Sequence, residues 1–383
     1  MKYYIISGEA SGDLHGSNLM RALLEKQPNA QIRFWGGDRM LEVASMHRGS
    51  VVQVRHIRDL AFMGIVEVVS HLKDILGNIK FCKQDILDFS PDVVVFIDYP
   101  GFNLNIAKFT HKHGLRNVYY ISPQIWAWKK GRIRPMRRDL DCLCYILPSE
   151  RMFYANSAFP QAVYVGHPLL DEIERFNTQL LTTDIKINNQ ESKIIALLPG
   201  SRKQELKRML PLMVQLVTKH PEFHFSIAGM KLIGEDFYKQ YIPNKISNID
   251  ICFDGTYQLL SKSYAAVVCS GTATLETALF RVPQVVCYQC NKMSAAIARV
   301  LIGKSIKYIS LVNLIADRPV VRELIQSEFN IKTLDAEFNL VSSSNEKRAS
   351  IIAEYDRLIE ILGGSGASAR TANEVIKIAS STI

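Results

Sequence analysis

Short apolar segments alternate with amphipathic helical patterns along most of the chain, and this alternation limits the possible folds more than any other feature. Consecutive parallel strands need a crossover, which is usually a helix, so the alternation predicts parallel sheets covered by helices. The strands expected in the first half are Tyr3–Ile6, Ile32–Trp35, Val51–Val54, Val93–Ile97, Asn117–Ile121, Cys142–Ile146 and Val163–Val165.

The alternation stops at a polar stretch, residues 177–191, and then starts again. The chain has 383 residues, which is more than one hydrophobic core usually holds, so we expect two domains. We predict Rossmann-like domains at 1–176 and 190–345 and a helical tail at 346–383. The strands expected in the second half are Ile194–Leu198, Phe223–Ile227, Ile249–Phe253, Ala265–Cys269 and Val285–Tyr288.

Composition and charge restrict the class of protein and its partners. No run of 18 apolar residues occurs, the cysteines are odd in number (seven), and only Cys287 and Cys290 have CxxC spacing, so a soluble cytoplasmic protein with reduced thiols is expected. The formal net charge of +9 indicates an anionic partner: a nucleic acid, a nucleotide or a membrane surface. Residues 126–138, WAWKKGRIRPMRR, combine tryptophans with lysines and arginines. This basic stretch could stack bases, lie at lipid headgroups, or be an ordinary solvated face.

Two strand-to-helix turns in the second half resemble phosphate-binding loops. Small residues beyond the carboxyl end of a parallel strand let backbone N–H groups reach an anion at a helix N-terminus. One turn is Gly200-Ser201-Arg202, where Arg202 adds a cation, and the other is SGTAT at residues 270–274. Glu276 behind the second turn suits the hydroxyls of a ribose. Each turn alone fits a capped helix start equally well, but together they favour a nucleotide diphosphate.

The first strand leads into the turn ISGEASGDLHGSNL, residues 6–19, which contains three glycines spaced four apart. The turn matches neither the dinucleotide-binding GxGxxG motif nor the P-loop. Its glycines allow close backbone approach, and Glu9, Asp13 and His15 suit sugar hydroxyls or the removal of a hydroxyl proton. The alternative is that Glu9 and Asp13 only cap the first helix.

Asp98 directly follows the apolar run VVVFI and so lies at the carboxyl end of a buried parallel strand. A carboxylate at this position costs desolvation free energy unless it has partners or a task. The next residues, Tyr99-Pro100-Gly101, form a tight turn that would direct the carboxylate. The alternative is a helix N-cap or a hydrogen bond to a neighbouring loop.

Longer motifs occur together over residues 3–330. In chain order they are SGEASGD (7–13), MGIVEV (63–68), IDYPGFN (97–103), YYISPQIWAWKKGR (119–132), VGHPL (165–169), LLPGSR (197–202) and SGTATLE (270–276). Together they resemble the lipid-A-disaccharide synthase family. The resemblance implies a GT-B glycosyltransferase, with two Rossmann-like domains facing a cleft and C-terminal helices packing back on the N-terminal domain. It also implies a homodimer through the C-terminal region.

The reaction implied by this resemblance is the transfer of 2,3-diacylglucosamine from its UDP derivative to 2,3-diacylglucosamine 1-phosphate. The products are the β-1,6-linked disaccharide and UDP, with inversion at the anomeric carbon. No metal and no cofactor are expected, because helix N-termini and Arg202 can stabilise the leaving diphosphate. Inverting transfer needs a base on the acceptor hydroxyl, and Asp98 fits this role best. Glu9, Asp13 and His15 would orient the acceptor or share its proton.

The candidate site residues divide between the two domains. The donor is placed in the C-terminal domain at Gly200, Ser201, Arg202, Ser270, Gly271, Thr272, Ala273, Thr274, Glu276 and Asn313. The acceptor is placed in the N-terminal domain at Gly8, Glu9, Ser11, Gly12, Asp13, His15, Met63, Gln124 and Trp126. Asp139-Leu140-Asp141 resembles the metal motif of another glycosyltransferase fold, but beside Arg137 and Arg138 we interpret it as surface charge pairing.

Both implied substrates carry acyl chains, so we expect peripheral attachment to the cytoplasmic face of the inner membrane. Apolar residues recur at helical spacing after residue 63, and the alternative is a core-facing amphipathic helix. The basic stretch would face anionic headgroups or the acceptor phosphate. The predicted membrane-facing residues are Val66, Val68, Val69, Leu72, Ile75 and Leu76.

The chain departs from common motifs of the family at Asp38, Val312 and Arg322, which leaves local loop shapes and acceptor details open. A UDP-sugar 2-epimerase or a peptidoglycan-type glycosyltransferase could share the fold and the nucleotide turns, but would not explain SGEASGD together with SPQIWAW. A nucleic-acid-binding protein would explain the basic stretch, but not two diphosphate-type turns. No nucleic-acid partner is therefore expected.

Overall fold

A computed structural model of the chain describes residues 1–60, 72–123, 130–181, 193–290 and 307–381. These residues belong to two compact units. The first unit contains Met1–Asp171 and Ser365–Ile383, and the second contains Glu172–Gly364. Each unit has its own parallel sheet, so the predicted pair of Rossmann-like domains is confirmed.

The strands of the first unit are β1 (Lys2–Ser7), β2 (Gln31–Gly36), β3 (Val51–His56), β4 (Val93–Ile97), β5 (Asn117–Tyr120), β6 (Cys142–Tyr145) and β7 (Ala162–Tyr164). They form one parallel sheet in the order β3-β2-β1-β4-β5-β6-β7. All five side chains of β4, VVVFI, are fully buried. β-Branched and aromatic residues suit such a strand because both of its faces are covered.

The helices of the first unit that precede the second are α1 (Ala10–Lys26), α2 (Asp38–Met46), α3 (Leu72–Phe89), α4 (Pro100–Lys112), α5 (Ile133–Asp139) and α6 (Glu150–Asn156). They cover a core that contains a chain of hydrogen bonds between polar side chains. The indole N–H of Trp35 donates to the Tyr4 hydroxyl at 2.8 Å, and this hydroxyl donates to Asp85 at 2.7 Å. Such pairing offsets the free-energy cost of burying the polar groups.

The strands of the second unit are β8 (Ile194–Leu198), β9 (His224–Gly229), β10 (Ile249–Phe253), β11 (Ala265–Cys269), β12 (Gln284–Tyr288) and β13 (Arg322–Ile325). Their order is β10-β9-β8-β11-β12-β13, again all parallel. The helices are α7 (Leu169–Leu181), which begins in the first unit, α8 (Lys203–Lys219), α9 (Glu235–Lys239), α10 (Thr256–Leu260), α11 (Thr272–Leu279), α12 (Leu311–Ala316), α13 (Ile331–Ser343) and α14 (Asn345–Leu362).

Every predicted strand overlaps an observed strand, but β13 was not predicted. Its sequence, RELI, carries two charged residues and lacks an apolar run. β13 lies at an edge of the sheet, where Arg322 is exposed and only Leu324 is fully buried. An edge strand needs fewer apolar side chains than a central one, so hydrophobic patterning does not reveal it.

The predicted tail, residues 346–383, is divided between the two units. α14 packs against α11, α12 and α13 of the second unit, and only the last helix, α15 (Ala367–Ser380), joins the first unit. The Asp171 carboxylate accepts backbone hydrogen bonds from the start of α15, and Arg116 donates to carbonyl groups at its end. The expected return of the C-terminal helices therefore holds for α15 alone. Opposite charges at its two ends complement the helix dipole.

Among the described helices, none is both long and apolar enough to cross a membrane.

Candidate active site

The loops after β1 and β4 are neighbours in the first unit because the strand order reverses between these two strands. Ser7, at the end of β1, pairs with Ile97, at the end of β4. The opening turn and Asp98 therefore lie beyond the same edge of the sheet, where ligands of parallel α/β sheets bind.

The glycines of the opening turn are required by packing within the unit. A Cβ atom on Gly8 would collide with the ring of Tyr99, one on Gly12 would lie 2.7 Å from Ser7 Oγ, and one on Gly16 would lie 2.6 Å from Met40 Sδ. These distances are shorter than van der Waals contact. The spacing of the glycines is explained by these neighbours without a ligand, although we had predicted an approach of substrate to Gly8 and Gly12.

Asp13 is buried, and its carboxylate binds the backbone at the start of α2. Oδ1 accepts from the N–H groups of Gly37 at 2.7 Å and Met40 at 3.1 Å, and Oδ2 accepts from Arg39 at 3.0 Å. No side chain of α2 caps this helix, so Asp13 of α1 serves as the cap. Sequence analysis had placed Asp13 at the acceptor or at the start of α1. These contacts give it a structural role instead, and we do not retain it as a candidate base.

His15 and His167 form a buried pair of imidazoles. Burial, assisted by Arg39 and opposed by Asp171, lowers the pKa of His15 to about 4, and burial beside His15 lowers the pKa of His167 to about 3. Both rings are therefore neutral at pH 7. His167 Nδ1 accepts from the Leu169 N–H at 3.3 Å, whereas His15 Nδ1 has no hydrogen-bond partner among the described residues. With a pKa of about 4, His15 is a weak base, so it suits a hydrogen bond better than proton abstraction.

Asp98 combines an unusual backbone with a shifted pKa. Its φ is +45°, in the left-handed region, which costs a non-glycine residue about 1–3 kcal/mol. Burial, and to a lesser extent the Glu9 carboxylate, raise the pKa of Asp98 to about 6. Glu9 and Ser11 are partly exposed beside it. A carboxylate with a pKa near the working pH can accept a proton from a hydroxyl group more readily than an ordinary one.

The Gly200-Ser201-Arg202 turn does not present its amides as predicted. The N–H groups of Ser201 and Arg202 donate to one oxygen of Glu205, at 3.0 and 3.2 Å, in a capping box at the start of α8. We had expected these amides to bind phosphate. The charged group of the turn is the Arg202 guanidinium, which is 57% exposed and lies 3.8 Å from the other Glu205 oxygen.

The turn at residues 270–274 keeps the form of an anion site. Gly271 and Thr272 are exposed at the start of α11, and no side chain caps that helix. The other two predicted hydroxyls point inward, because Ser270 donates to the Ile309 carbonyl and Thr274 to the Gly271 carbonyl, both at 2.8 Å. The backbone of Gly271-Thr272-Ala273 is therefore the better candidate for a phosphate contact in this unit.

Glu276 has a partner that the sequence did not reveal. Its Oε1 accepts from the Tyr257 hydroxyl at 3.0 Å. The Tyr257 ring packs edge-on against Phe176 and beside Phe280, with centroids 5.6 and 5.3 Å away. This cluster holds the carboxylate in one place, as a residue that binds two adjacent hydroxyls requires. Sequence analysis missed this hydrogen bond because Tyr257 lies 19 residues before Glu276.

Asn313, predicted at the donor site, is buried and holds a loop. Its Nδ2 donates to the Val321 carbonyl at 2.8 Å and to Glu323 at 2.9 Å, and its Oδ1 accepts from the Val321 N–H at 2.9 Å. The nearby departures from the family motifs are accommodated without strain: Val312 is buried in the core, and Arg322 pairs with Glu328 at 3.1 Å on the surface.

Asp38, the third departure, is exposed at the start of α2 and pairs with Arg58 at 2.6 Å. The Asp139-Leu140-Asp141 string is also used internally: Asp139 pairs with Arg138 at 2.6 Å, and Asp141 accepts from the Asn117 N–H at 2.7 Å. Among the described residues, no group of three or more histidine, cysteine or acidic side chains is arranged to hold a metal ion.

Several predicted residues lie outside the described part of the chain. Of the membrane-facing set, Leu72 begins α3, the Ile75 side chain is partly buried, and the Leu76 side chain is 57% exposed. The residues outside the described part are Met63, Val66, Val68, Val69, Gln124 and Trp126.

Comparison with known proteins gives consistent results. Residues 3–377 match the family model described as Lipid-A-disaccharide synthetase. A lipid-A-disaccharide synthase from Syntrophus aciditrophicus is 36% identical over 373 residues, covering 96% of this chain and 95% of the relative.

Solved structures resemble the fold at low sequence identity. The UDP-GlcNAc 2-epimerase from Neisseria meningitidis bound to UDP-GlcNAc has a TM-score of 0.65 at 13% identity and covers 98% of this chain and 100% of its own. The glycotransferase of kitacinnamycin has a TM-score of 0.65 at 13% identity, with 98% coverage of both chains. Similarities at this identity show the fold alone, so the epimerase does not assign an activity.

The role of Asp13 can be tested by stability. Asp13→Ala leaves three backbone amides at the start of α2 without their acceptor, so the free energy of unfolding should fall by about 2–3 kcal/mol. Asp38→Ala, a change to an exposed residue at the same helix start, should cost less than about 1 kcal/mol. Chemical denaturation measures both. Equal losses in the two variants would contradict the assignment of Asp13 as the cap.

Proposed function

The chain belongs to the lipid-A-disaccharide synthetase family, and from this membership and the geometry of the two units we propose how it forms the lipid A disaccharide. The acceptor, 2,3-diacylglucosamine 1-phosphate, binds the first unit beside Glu9 and Asp98. The donor, UDP-2,3-diacylglucosamine, binds the second unit at Arg202, the start of α11 and Glu276. The observation that carries this assignment is the pairing of Ser7 with Ile97, which brings the turn with Glu9 next to Asp98 at the carboxyl ends of β1 and β4.

Asp98 is the general base of the transfer. Its carboxylate takes the proton of the acceptor 6-hydroxyl while that oxygen attacks the anomeric carbon of the donor. The bond from the anomeric carbon to the diphosphate oxygen breaks on the opposite face, and its electron pair leaves with UDP. This geometry inverts the anomeric centre. Glu9 and the neutral His15 orient the acceptor, and Asp13 holds the turn from which they project.

The second unit stabilises the leaving diphosphate. Negative charge grows on UDP as the bond breaks, and the Arg202 guanidinium and the uncapped N-terminus of α11 are the groups available to meet it. The backbone N–H groups of Ser201 and Arg202 donate to Glu205. The Arg202 side chain, rather than these N–H groups, therefore stabilises the diphosphate. Glu276, held by Tyr257, accepts hydrogen bonds from the ribose hydroxyls.

The two donor contacts should differ in their kinetic effects. Arg202→Ala removes a charge that acts mainly in the transition state, so kcat should fall by about 10²-fold or more, equivalent to ~3 kcal/mol, while UDP binding changes less. Glu276→Ala should weaken UDP binding, and Tyr257→Phe should do so to a smaller extent. Steady-state kinetics and UDP titration measure these effects, with Lys207→Ala on the exposed face of α8 as the control. Unchanged kinetics for Arg202→Ala would remove it from the site.

Replacing the base should lower activity and raise stability in the same variant. Asp98→Asn should retain UDP binding and lose about 10²–10⁴-fold in kcat. Because the folded state raises the Asp98 pKa from 3.8 to about 6, ionisation destabilises the folded state fully above pH 6. This destabilisation disappears as the pH falls below the pKa of the unfolded chain.

The stability gain of Asp98→Asn should therefore be about 2–3 kcal/mol at pH 8 and should vanish towards pH 4, since one pKa unit is worth about 1.4 kcal/mol. Denaturation curves at both pH values measure it. If Asp98→Asn keeps activity within a few-fold of wild type while His15→Ala abolishes it, the base belongs to the opening turn.

Both substrates carry acyl chains, so the enzyme works at a membrane surface through peripheral contact. The support is the apolar series at residues 66–76, of which Leu76 is an exposed apolar side chain in α3. Further support is the basic stretch, whose Arg134, Arg137 and Arg138 are exposed. The homodimer through the C-terminal region stays a prediction.

Serine at Val66, Val68, Val69 and Leu72 should give a folded protein that no longer co-sediments with anionic vesicles. Leu340→Ser, a change to an exposed leucine of the second unit, should leave co-sedimentation unchanged. If the quadruple variant unfolds, as judged by circular dichroism, this segment packs against the core and the membrane assignment is wrong.

A further inference from the structure

The turn that carries Asp98 has a backbone conformation that its own residues do not favour. Asp98 and Tyr99 are consecutive left-handed residues, with φ values of +45° and +50°. Neither is glycine, and two such residues in sequence persist only where surrounding contacts determine the conformation. The direction of the Asp98 side chain depends on this turn, because rotation about φ or ψ at either residue would move its Cβ atom relative to the sheet.

Two buried side chains bind the Asp98 carbonyl oxygen. The Tyr119 hydroxyl donates to it at 2.5 Å, and Asn103 Nδ2 donates to it at 2.7 Å. Asn103 Nδ2 also lies 3.2 Å from the Ile97 carbonyl and 3.5 Å from the Ile6 carbonyl. Tyr119 comes from β5 and Asn103 from α4, so the carbonyl oxygen is held from two different elements. We call these two side chains the carbonyl clamp.

Filling the core with these two polar side chains costs folding free energy. Tyr119 and Asn103 are both fully buried, and Asn103 Oδ1 has no hydrogen-bond partner among the described residues. An unpaired buried acceptor destabilises the folded state, whereas a leucine of similar volume would not have this cost. What the asparagine provides is a donor at the ends of β1 and β4, where the reactive turn begins.

We propose that Tyr119 and Asn103 are positioning residues for the transfer reaction. By binding the Asp98 carbonyl oxygen they hold the left-handed turn, and the turn directs the Asp98 carboxylate towards the acceptor hydroxyl. The inference rests on the proposed role of Asp98 as the base. Neither residue was singled out by sequence analysis, since a tyrosine in a strand and an asparagine in the first turn of a helix are both common.

Loss of the carbonyl clamp should change the pH dependence of kcat/KM. The turn would relax towards an ordinary conformation and carry the Asp98 carboxylate away from its partly buried position and from Glu9, the charged group that faces it from the opening turn. Its pKa would then fall towards the usual value for aspartate. The acid limb of the kcat/KM profile, which reports the base of the free enzyme, should move to lower pH.

Tyr119→Phe is the first test, because it removes one hydroxyl and keeps the ring in the core. We expect kcat to fall about 10–100-fold, the KM for the UDP-sugar to stay unchanged, and the acid limb to move down. Asn103→Leu should give the same signature. Tyr4→Phe is the matched control: its hydroxyl is equally buried in the same sheet and makes two hydrogen bonds, but it does not contact Asp98. The Tyr4→Phe variant should be less stable than the wild type, but its kcat and the acid limb of its kcat/KM profile should not change.

The outcomes separate this inference from the proposed base. Folded Tyr119→Phe and Asn103→Leu variants with wild-type kcat and acid limb would overturn the clamp, while an inactive Asp98→Asn variant leaves the base in place. A fall in kcat that Tyr4→Phe matches would assign the effect to general destabilisation and also overturn the clamp. An active Asp98→Asn variant would show that Asp98 is not the base. The positioning role of the carbonyl clamp would then also be wrong, because it depends on Asp98 being the base.

Discussion

In the first unit, the register between β1 and β4 determines which side chains can meet at the site. Ser7 pairs with Ile97 at the ends of these two strands, so Glu9 and Asp98 emerge side by side. The second unit repeats this arrangement, since Leu198 of β8 pairs with Val268 of β11 and places the Arg202 turn beside the start of α11. In both units the proposed site residues lie where the strand order reverses. A parallel sheet of this topology brings together loops that are far apart in sequence.

Several unfavourable features of the first unit occur together at the end of β4. Other buried polar side chains of this unit, Tyr4 and Trp35, are paired with each other. At the end of β4, a partly buried carboxylate lies next to another carboxylate, two residues adopt left-handed conformations, and Asn103 keeps an unpaired oxygen. Such a concentration of unfavourable features is expected where a reactive group is held ready rather than where stability is the only requirement.

The sequence predicted the elements of the fold more reliably than the partners of individual side chains. Apolar runs located all the predicted strands, because central strands are buried on both faces, but β13 lies at an edge and has no such run. Asp98 was predicted as a site residue because it directly follows the apolar run VVVFI, where a carboxylate costs desolvation free energy. Asp13 and Asn313 were assigned to substrates, yet they bind backbone groups 24 and 8 residues away along the chain. Short polar side chains in a turn look alike whether they meet a ligand or a distant amide. Tyr119 and Tyr257 were missed because their partners, the Asp98 carbonyl oxygen and Glu276, lie 21 and 19 residues away along the chain.

The central claim is that this chain joins two acylated glucosamine units by inverting transfer, and a product analysis tests it most directly. The purified protein would be incubated with UDP-2,3-diacylglucosamine and 2,3-diacylglucosamine 1-phosphate, and the products identified by mass spectrometry and by NMR of the new linkage. The account predicts one equivalent of UDP for each β-1,6-linked disaccharide 1-phosphate. Release of UDP without a disaccharide, or epimerisation of the UDP-sugar at C2, would contradict it.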